Sequence, residues 1–381
     1  MENRKLRVGV IGCGAISDIY LKNMTGEFDN LEVVACAAAH VENALKKAEQ
    51  YRIRGCTVEE LLADDAVDMA VILTPAPTHY ELAKKALEAG KHVYTEKTMT
   101  IAPDTAAELI KLADEKGLYL GSAPDTFLGA SWQTARKMID EEKLGEITSF
   151  QISANRDLDF LAGLFGFLRM PGGGICYDYG VYYLTALVSL LGPVKRVAAT
   201  VRNGKPVRVN RVPQSPEYGR EFSYPNESQV FAVVELENGV AGNFALNGDS
   251  VLADQAMFTI YGTKGILKLT DPNQFGGKNI FMSNSYDFAQ PPVWEEIDNV
   301  FPYEGNSRGI GPAEMADAIL TGRKNRAAKE MAYHVLDVID TMMKSSDSGR
   351  FEAVNSTCER PQPLSFFHSV PARKGEAGEN Y

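Results

Sequence analysis

The feature that most constrains this chain is the glycine-rich turn near its beginning. Residues 7–17 read Arg-Val-Gly-Val-Ile-Gly-Cys-Gly-Ala-Ile-Ser, so an apolar strand pattern leads through the turn into a helical pattern. Gly12 allows a tight turn, Gly14 leaves no Cβ between the backbone and a pyrophosphate, and the helix N-terminus offers amide donors and a favourable dipole. In this context we favour dinucleotide binding over an ordinary βα turn. The predicted cofactor contacts here are Gly12, Gly14, Ala15 and Ile16.

Length and composition limit the remaining choices. A chain of 381 residues is too long for one typical core and predicts about two domains. The formal net charge of −11 disfavours nucleic acid as the main partner. Five scattered cysteines without C-x-x-C spacing, and no cluster with metal-ligand spacing, predict neither a disulfide framework nor a metal site. With no signal-like segment and no long apolar run, we expect no membrane partner and a cytoplasmic location.

The pattern divides the chain into three parts. Residues 1–123 alternate short apolar runs with amphipathic helices, which predicts βαβ units and a parallel sheet. Residues 124–355 contain successive strand patterns typical of an antiparallel sheet, interrupted by one helix at Val181 to Leu191. Residues 356–381 are interpreted as a tail rich in proline, charge and glycine. The strands predicted in the second part are Ile147 to Ala154, Val194 to Val201, Ser228 to Leu236, Val240 to Leu246, Met257 to Tyr261 and Ile266 to Leu269, with a long excursion over 202–227.

In a parallel sheet, ligands bind at the carboxyl ends of the strands, so the segments that follow predicted strands are expected to lie close together. These segments are Gly12 to Ser17, Ala38 to His40, Thr74 to Pro77, Thr95 to Thr98 and Ala123 to Asp125. Further cofactor contacts predicted from them, and from the helix after Pro77, are Ala38, His40, Thr74, Pro75, His79, Glu96 and Lys97. The second segment offers no acidic group for a ribose 2′-hydroxyl and no arginine for a 2′-phosphate, so NAD and NADP both remain open.

Glu96 and Lys97 form the first candidate for chemistry, because they stand at a predicted strand exit. A lysine beside a nicotinamide can orient a substrate hydroxyl, and partial burial beside another positive charge would lower its pKa. The alternative is a surface Glu-Lys pair, the commoner use of this dipeptide. The position in the expected crevice favours the functional interpretation.

The second candidate runs from Gly172 to Tyr183. Three successive glycines would let the chain approach a ligand closely, and the helix that follows would hold Asp178, Tyr182 and Tyr183 near one another. Tyrosine serves as an acid or base only if its pKa of about 10 is lowered, which a nearby lysine would do. The alternative is a glycine loop with aromatic core packing.

Four further residues are predicted to contact a polyhydroxylated substrate: Asp125, Asn155, Arg156 and Tyr183. Asp125 follows the last strand of the first part, and Asn155 and Arg156 end the first strand of the second part. The alternative for such positions is an ordinary cap or turn, because strand ends commonly carry these residue types.

Together these motifs resemble the glucose-fructose oxidoreductase, inositol dehydrogenase and MocA family (Gfo/Idh/MocA). The resemblance covers nearly the whole chain and implies an N-terminal Rossmann domain with a doubly wound parallel sheet. It also implies a C-terminal α+β domain with an open-faced, mainly antiparallel sheet. The motifs occur in the family's order: Gly12-x-Gly14-x-x-Ser17, Thr74-Pro75 with His79, Glu96-Lys97, Gly172-Gly173-Gly174 to Asp178-x-Gly180-x-Tyr182, and Tyr261-Gly-Thr-Lys-Gly265.

The resemblance implies that Lys97 is the catalytic lysine, that Asp178 positions the substrate hydroxyl, and that Tyr182 stands where many members carry an acid/base histidine. Tyrosine at this position is similar to the branch containing glucose-fructose oxidoreductase and dihydrodiol dehydrogenase. Thr98 replaces the usual proline of the Glu-Lys-Pro motif. Because a non-proline cis bond costs about 2.5–4 kcal/mol, we expect a trans bond before Thr98.

The leading hypothesis is an NAD(P)-dependent oxidoreductase that moves a hydride between nicotinamide and a carbinol carbon of a sugar, sugar derivative or polyol. One alternative is an NAD-dependent glycoside hydrolase on the same fold, and another is a dinucleotide-binding regulator without turnover. Exposed apolar sheet faces tend to become interfaces, so a homo-oligomer, dimer or tetramer, is expected.

Overall fold

The computed structural model describes residues 4–250, 255–284 and 293–365, and the first part of the chain forms an α/β domain. Its strands are β1 (Leu6–Ile11), β2 (Leu31–Ala37), β3 (Arg54–Cys56), β4 (Met69–Ile72), β5 (His92–Thr95) and β6 (Leu120–Ser122). Its helices are α1 (Ser17–Gly26), α2 (Val41–Tyr51), α3 (Val58–Leu62), α4 (His79–Glu88) and α5 (Pro103–Lys116).

The six strands form one parallel sheet in the order β3-β2-β1-β4-β5-β6, as predicted for a doubly wound sheet. All four residues of β4 are buried, as expected for a strand covered by helices on both faces. The strand order reverses at β1, which lies between β2 and β4. The glycine turn that follows β1 therefore stands at the topological switch point, where doubly wound sheets bind ligands.

The strands of the second domain are β7 (Ile147–Asn155), β8 (Val194–Arg202), β9 (Val207–Val209), β10 (Glu221–Ser223), β11 (Gln229–Leu236), β12 (Ala241–Asn247), β13 (Gln255–Gly262), β14 (Gly265–Leu269), β15 (Asn279–Ser283), β16 (Glu295–Ile297) and β17 (Glu352–Ala353). Nine of them form one sheet in the order β16-β15-β14-β13-β7-β12-β11-β8-β17. Its one parallel pair within the described residues is β7 with β12, so the predicted mainly antiparallel sheet is confirmed.

One face of this sheet packs against helices, and the other, the open face, carries exposed apolar side chains. The helices of the second part of the chain are α6 (Ala130–Asp140), α7 (Leu158–Leu164), α8 (Val181–Leu191), α9 (Ile310–Thr321) and α10 (Lys329–Ser348). Of these, α6 packs on β14 and α10 on β8, whereas α9 packs on β6 of the first domain. Along β11, Val230 and Val234 are buried, whereas Phe231 and Val233 point outward and are exposed. α10 packs on β8, on α8 and on α5 of the first domain, so this helix joins the two halves of the molecule.

Several elements of the structure differ from the predicted ones. β6 begins at Leu120, although the pattern predicts a strand over 118–120, and the edge strand β3 was not predicted. The excursion over 202–227 contains the hairpin of β9 and β10. Of the predicted tail, Leu364 is buried and its N–H donates to Gln133, while residues 366–381 lie outside the described residues. Within the described residues, no helix is long and apolar enough to cross a membrane.

Asp125 links the end of the first sheet to α9. Its carboxylate oxygen Oδ2 accepts from the backbone N–H groups of Gly309, at 3.1 Å, and Gly311, at 3.0 Å, and the side chain is 1% exposed. Burial raises the pKa of Asp125 to about 6, although the N–H of Gly311 opposes the shift. The carboxylate is enclosed and serves the start of α9, and the contact of Asp125 with substrate stays a prediction.

Replacing Asp125 tests this structural role. Asp125→Ala leaves two buried N–H groups without an acceptor and is expected to lower the free energy of unfolding by about 2 kcal/mol or more. Asp125→Asn keeps an oxygen that can accept from both groups, so its loss should be smaller. Urea denaturation of the three proteins measures both effects.

The difference in stability between the original protein and Asp125→Asn is expected to depend on pH. A carboxyl whose pKa is higher in the folded state than in the unfolded state contributes stability at low pH and loses it as pH rises through the folded pKa. The stability of the original protein relative to Asp125→Asn should therefore fall between about pH 4 and pH 7. A difference that stays constant over this range contradicts the assignment.

Candidate active site

The turn after β1 has the geometry that the sequence predicts for a phosphate cradle. Gly12 has φ +110°, and a Cβ at this position would lie 2.8 Å from the carbonyl carbon of Leu73, so glycine is required by the protein itself. Gly14 differs, because a Cβ there would meet nothing within 4 Å. Gly14 and Ala15 are exposed at the start of α1. An exposed and unobstructed surface in front of a helix N-terminus fits a pyrophosphate.

Lys97 lies immediately after β5 and reaches across to the second domain. Its ammonium donates to the backbone oxygen of Asp178 at 2.8 Å and to the carboxylate at 2.5 Å. Burial lowers the pKa of Lys97, but the attraction of Asp178 outweighs it and leaves the pKa above its usual value. The expectation of a lowered pKa is wrong, because the close neighbour is a carboxylate and not a second cation.

Both carboxylate oxygens of Glu96 accept hydrogen bonds from the protein. One carboxylate oxygen accepts from the hydroxyl of Tyr20 on α1 at 2.7 Å, and the other accepts from the backbone N–H of Lys97 at 3.0 Å. Glu96 is 8% exposed. It therefore fixes the backbone at the strand exit.

The peptide bond between Lys97 and Thr98 is cis, so the expected trans bond is wrong. Tertiary contacts define this backbone where proline is absent. The oxygen of Thr98 lies 2.7 Å from Nδ1 of His79, and the Thr98 hydroxyl donates to the oxygen of Thr100 at 2.6 Å.

His79 is enclosed between two strand exits. Its Nδ1 lies 2.7 Å from the oxygen of Thr98 and its Nε2 lies 2.7 Å from the oxygen of Thr74, and the side chain is fully buried. Both ring nitrogens are thus occupied by the protein. His79 ties the segment after β4 to the segment after β5, and its contact with the cofactor stays a prediction.

Asp178 belongs to a π-helical turn, Cys176–Gly180, that runs directly into α8. Such turns occur often at functional sites, because they displace side chains from the regular helical register. The N–H of Asp178 donates to the oxygen of Gly174 at 2.8 Å. Asp178 therefore stands one turn after the glycine run, with its carboxylate facing Lys97.

The three glycines before this turn lie close to other segments of the chain. A Cβ at Gly172 would lie 2.7 Å from Ile101, one at Gly173 would lie 2.5 Å from the oxygen of Leu168, and one at Gly174 would lie 2.0 Å from the carboxylate of Glu227. The structure therefore shows a close approach between segments of the chain here, and the close approach to a ligand stays a prediction.

Tyr182 lies in the first turn of α8, beside Lys97. The ammonium of Lys97 is 5.4 Å from the centroid of the Tyr182 ring, and Tyr182 is 7% exposed. Burial raises the pKa of Tyr182, while the charges of Lys97 and Arg308 and a hydrogen bond from Arg308 lower it, and burial prevails. The expected net lowering is therefore wrong, although lysine acts in the predicted direction.

Arg308 was not predicted as part of the site. Its guanidinium donates to the side-chain oxygens of Asn306, at 2.8 Å, and Asn273, at 2.7 Å. These partners are neutral, so they orient the positive charge without cancelling it. Arg308 belongs to no recognisable motif and lies far along the chain, so no local pattern identifies it.

The remaining predicted substrate contacts lie at different depths. Tyr183 is fully buried, donates its hydroxyl proton to Tyr179 at 3.3 Å and stacks near Phe258. Its contact with substrate stays a prediction. The guanidinium carbon of Arg156 lies 4.0 Å from the centroid of the Tyr179 ring. Asn155, the last residue of β7, accepts from the side chain of Asn247 at 3.2 Å.

The other predicted cofactor contacts surround the glycine turn. Ala38 and His40 follow β2, and His40 is exposed at the start of α2. Thr74 and Pro75 follow β4, and the hydroxyl of Thr74 accepts from that of Thr78 at 2.7 Å. These segments lie at the carboxyl edge of the sheet, where the sequence predicts them.

Comparison with known proteins agrees with this architecture. The oxidoreductase family with an NAD-binding Rossmann fold matches residues 6–123, and the GFO/IDH/MocA C-terminal domain matches residues 132–268. Levoglucosan dehydrogenase, solved with NADH and L-sorbose, superimposes with a TM-score of 0.80 at 18% identity over 92% of this chain and 99% of its own. At this identity the likeness concerns the fold.

Curated relatives match over part of their length. scyllo-Inositol 2-dehydrogenase (NADP(+)) IolW of Bacillus subtilis is 27% identical over 51% of this chain and 54% of its own. A dTDP-3,4-didehydro-2,6-dideoxy-alpha-D-glucose 3-reductase of Streptomyces violaceoruber is 29% identical over 71% of this chain and 79% of its own. Matches to IolW and to two Schizosaccharomyces pombe oxidoreductases span 54–56% of those proteins. On the two domain matches, which together cover most of the chain, this protein belongs to the Gfo/Idh/MocA family of oxidoreductases.

Proposed function

We propose that this protein is an NAD(P)-dependent oxidoreductase that transfers a hydride between nicotinamide and a carbinol carbon of a sugar, sugar derivative or polyol. The observation that carries the proposal is the cluster of Lys97, Asp178 and Tyr182 at the carboxyl end of β5. Lys97 contacts Asp178 directly and lies 5.4 Å from the Tyr182 ring centroid. A proton donor, a cation and a carboxylate thus lie close together.

The glycine turn supports the cofactor assignment. Its exposed start of α1 and the unobstructed space at Gly14 fit a pyrophosphate, and Ala38, His40, Thr74 and Pro75 surround it on neighbouring strand exits. The nicotinamide, when bound, supplies or accepts the hydride. Ala38 and His40 offer no carboxylate that would repel a 2′-phosphate, so either NAD or NADP fits these residues.

The proton is assigned to Tyr182. In the reducing direction its hydroxyl donates a proton to the substrate carbonyl oxygen, and in the oxidising direction the phenolate takes the proton from the substrate hydroxyl. Lys97 and Arg308 stabilise the phenolate by charge, because both lower the pKa of Tyr182 against the effect of burial. Asp178 holds the Lys97 ammonium and orients the substrate hydroxyl.

The names of the relatives favour this substrate class. IolW is named for an inositol, the Streptomyces violaceoruber enzyme for a nucleotide-linked deoxysugar, and the structural neighbour for an anhydrosugar. A polyhydroxylated ring is the feature that these names share, and we propose such a ring for this protein.

Substitution of Lys97 and Tyr182 tests the mechanism. Lys97→Met and Tyr182→Phe are each expected to reduce kcat/KM at least about tenfold, because each removes a group that acts on the transferred proton. Activity is measured as absorbance of the reduced nicotinamide with a panel of sugars and polyols. Lys85→Met, at an exposed position on α4, and Tyr80→Phe, on the same helix, are the matched controls.

The pH dependence of the same assay has a predicted sign. Because burial raises the pKa of Tyr182, the hydroxyl is protonated at neutral pH and the rate of alcohol oxidation should increase with pH up to at least about pH 10. Tyr182→Phe should lose this dependence. A rate of alcohol oxidation that levels off near neutral pH contradicts the role given to Tyr182. Undiminished activity in Lys97→Met and Tyr182→Phe contradicts the roles given to both residues.

Substitutions at Gly12 and Gly14 distinguish an effect on folding from an effect on cofactor binding. Gly12→Ala places a Cβ against the Leu73 backbone and is expected to lower the melting temperature of the free protein. Gly14→Ala has room in the free protein and should leave its melting temperature unchanged, yet weaken NADH and NADPH binding at least about tenfold, because the methyl group occupies the pyrophosphate position. Thermal melts and fluorescence titration measure the two effects. Unchanged nucleotide affinity in Gly14→Ala would exclude this site for the cofactor.

We also propose that copies of the chain associate through the open face of the nine-stranded sheet. The register places Phe231, Ala245, Ser153 and Met257 in one row across β11, β12, β7 and β13, and Phe231 and Met257 are exposed. Exposed apolar side chains on one flat face are typical of an interface.

A charged substitution tests this surface. Phe231→Glu is expected to shift the protein to monomer in light scattering after gel filtration, because burying an unpaired carboxylate opposes association. Leu45→Glu, at an exposed apolar position on α2, is the control and should leave the oligomeric state unchanged. A monomeric original protein, or an unchanged assembly in Phe231→Glu, contradicts the proposal.

A further inference from the structure

Glu227 holds the beginning of the helical stretch that carries Asp178. Its backbone oxygen accepts from the N–H of Ile175 at 3.0 Å, and its carboxylate oxygen Oε1 accepts from the N–H of Cys176 at 3.1 Å. The first N–H groups of a helix have no partner within the helix, so an external acceptor defines where the helix starts. Glu227 supplies that acceptor from a segment about fifty residues later, immediately before β11.

The Glu227 carboxylate packs closely against Gly174 at the start of this turn. A Cβ on Gly174 would lie 2.0 Å from the Glu227 carboxylate carbon and from each of its oxygens. The carboxylate therefore lies directly against the Cα of Gly174. Tyr224 holds the same two segments together, because its hydroxyl donates to the oxygen of Gly173 at 3.1 Å.

A short chain of contacts connects Glu227 to the candidate catalytic cluster. Glu227 fixes residues 175 and 176, the N–H of Asp178 donates to the oxygen of Gly174 at 2.8 Å, and Lys97 donates to both the backbone oxygen and the carboxylate of Asp178. A displacement of the Glu227 carboxylate therefore moves Asp178 relative to Lys97.

We propose that Glu227 is a positioning residue for the reaction, and that its carboxylate fixes the turn that holds Asp178 against Lys97. This inference rests on the proposed function for its kinetic consequence. Its structural consequence, the contact between Asp178 and Lys97, can be measured without turnover. Glu227 itself does not touch the reacting atoms and acts through Asp178.

The charge state of Glu227 adds a pH dependence. Burial raises the pKa of Glu227 to about 7, against hydrogen bonds from the N–H groups of Glu227, Cys176 and Tyr177. Protonation removes the negative charge that a helix N-terminus favours, so the turn is held less firmly as pH falls through about 7. The titratable and charged groups facing Glu227 or its partners include Cys176, Tyr177, Asp178, Arg208, Tyr224, Asp249 and Asp340. Cys176, Tyr177 and Tyr224 all have raised pKa values and stay neutral in this range.

A double-mutant cycle between Glu227 and Asp178 tests the proposal. Glu227→Gln keeps the shape and one acceptor oxygen but removes the charge, and is expected to reduce kcat/KM at pH 8 about tenfold. Asp178→Asn should reduce it by at least as much, and the double variant should match Asp178→Asn within about twofold, because both act on one contact. Losses that multiply in the double variant would show independent roles and overturn the proposal. Glu221→Gln, an exposed glutamate on β10, is the matched control and should retain activity.

Trace acetylation gives a readout that is independent of turnover. When Asp178 no longer holds Lys97, the Lys97 amine loses its proton more easily and should react with acetic anhydride at least about threefold faster at pH 8. Mass spectrometry of the native protein measures this rate at Lys97. Glu227→Gln and Asp178→Asn are expected to show the increase, and Glu221→Gln is not. An unchanged rate in Glu227→Gln overturns the positioning role even if the proposed reaction is correct. Wild-type turnover in Asp178→Asn contradicts the proposed reaction alone.

A third variant guards against a folding defect in Glu227→Gln. Gly174→Ala keeps the Glu227 carboxylate but pushes it away from the turn, so it should show the same faster labelling of Lys97. In the original protein, kcat/KM should fall as pH drops through about 7, and this inflection should be absent from Glu227→Gln. An inflection that persists in Glu227→Gln belongs to another group and contradicts the proposal.

Discussion

The ion pair between Lys97 and Asp178 is the interaction on which the site depends. The two residues are 81 positions apart, one at the end of a strand in the parallel sheet and the other at the start of a helix in the second domain. Neither charge is suited to burial alone, because an unpaired charge in the protein interior costs several kcal/mol. Their pairing therefore fixes the relation between the domains at the point where the cofactor crevice meets the second domain.

Backbone geometry brings each partner to this point. On the first side, Glu96 and His79 hold the strand exit, Glu96 through the N–H of Lys97 and His79 through the oxygen of Thr98. On the second side, the glycine run packs closely against Leu168, Ile101 and Glu227. Both halves of the ion pair therefore sit on segments with little freedom, which is what a preorganised site requires.

Much of this was predictable, because it depends on local pattern. The strand, turn and helix around Gly12 follow from hydrophobic periodicity and glycine placement, and the edge of the sheet where Lys97 lies follows from parallel topology. The grouping of Lys97, Asp178 and Tyr182 came from motifs in a family order. Each of these inferences uses residues close together in the chain, or a rule that holds for a whole fold.

Other features could not be predicted from local pattern. Asp125, His79 and Tyr183 have residue types suited to chemistry, but no pattern indicated that each would be buried with hydrogen-bond partners inside the protein. A sequence pattern indicates which residue follows a strand, whereas the burial of that residue depends on the segments that pack against it. The same limit concealed Arg308 and Glu227, which enter the site from segments with no motif of their own.

The electrostatics of Tyr182 show why burial and charge have to be considered together. Desolvation disfavours the phenolate, and the charges of Lys97 and Arg308 favour it. Lys97 is also paired with Asp178, whereas the two hydrogen-bond acceptors of Arg308 are neutral amides. Both cations lower the pKa of Tyr182, and the charge of Lys97 has the larger effect. The result is a hydroxyl that keeps its proton at neutral pH, next to cations already in place to support the phenolate once that proton has moved to substrate.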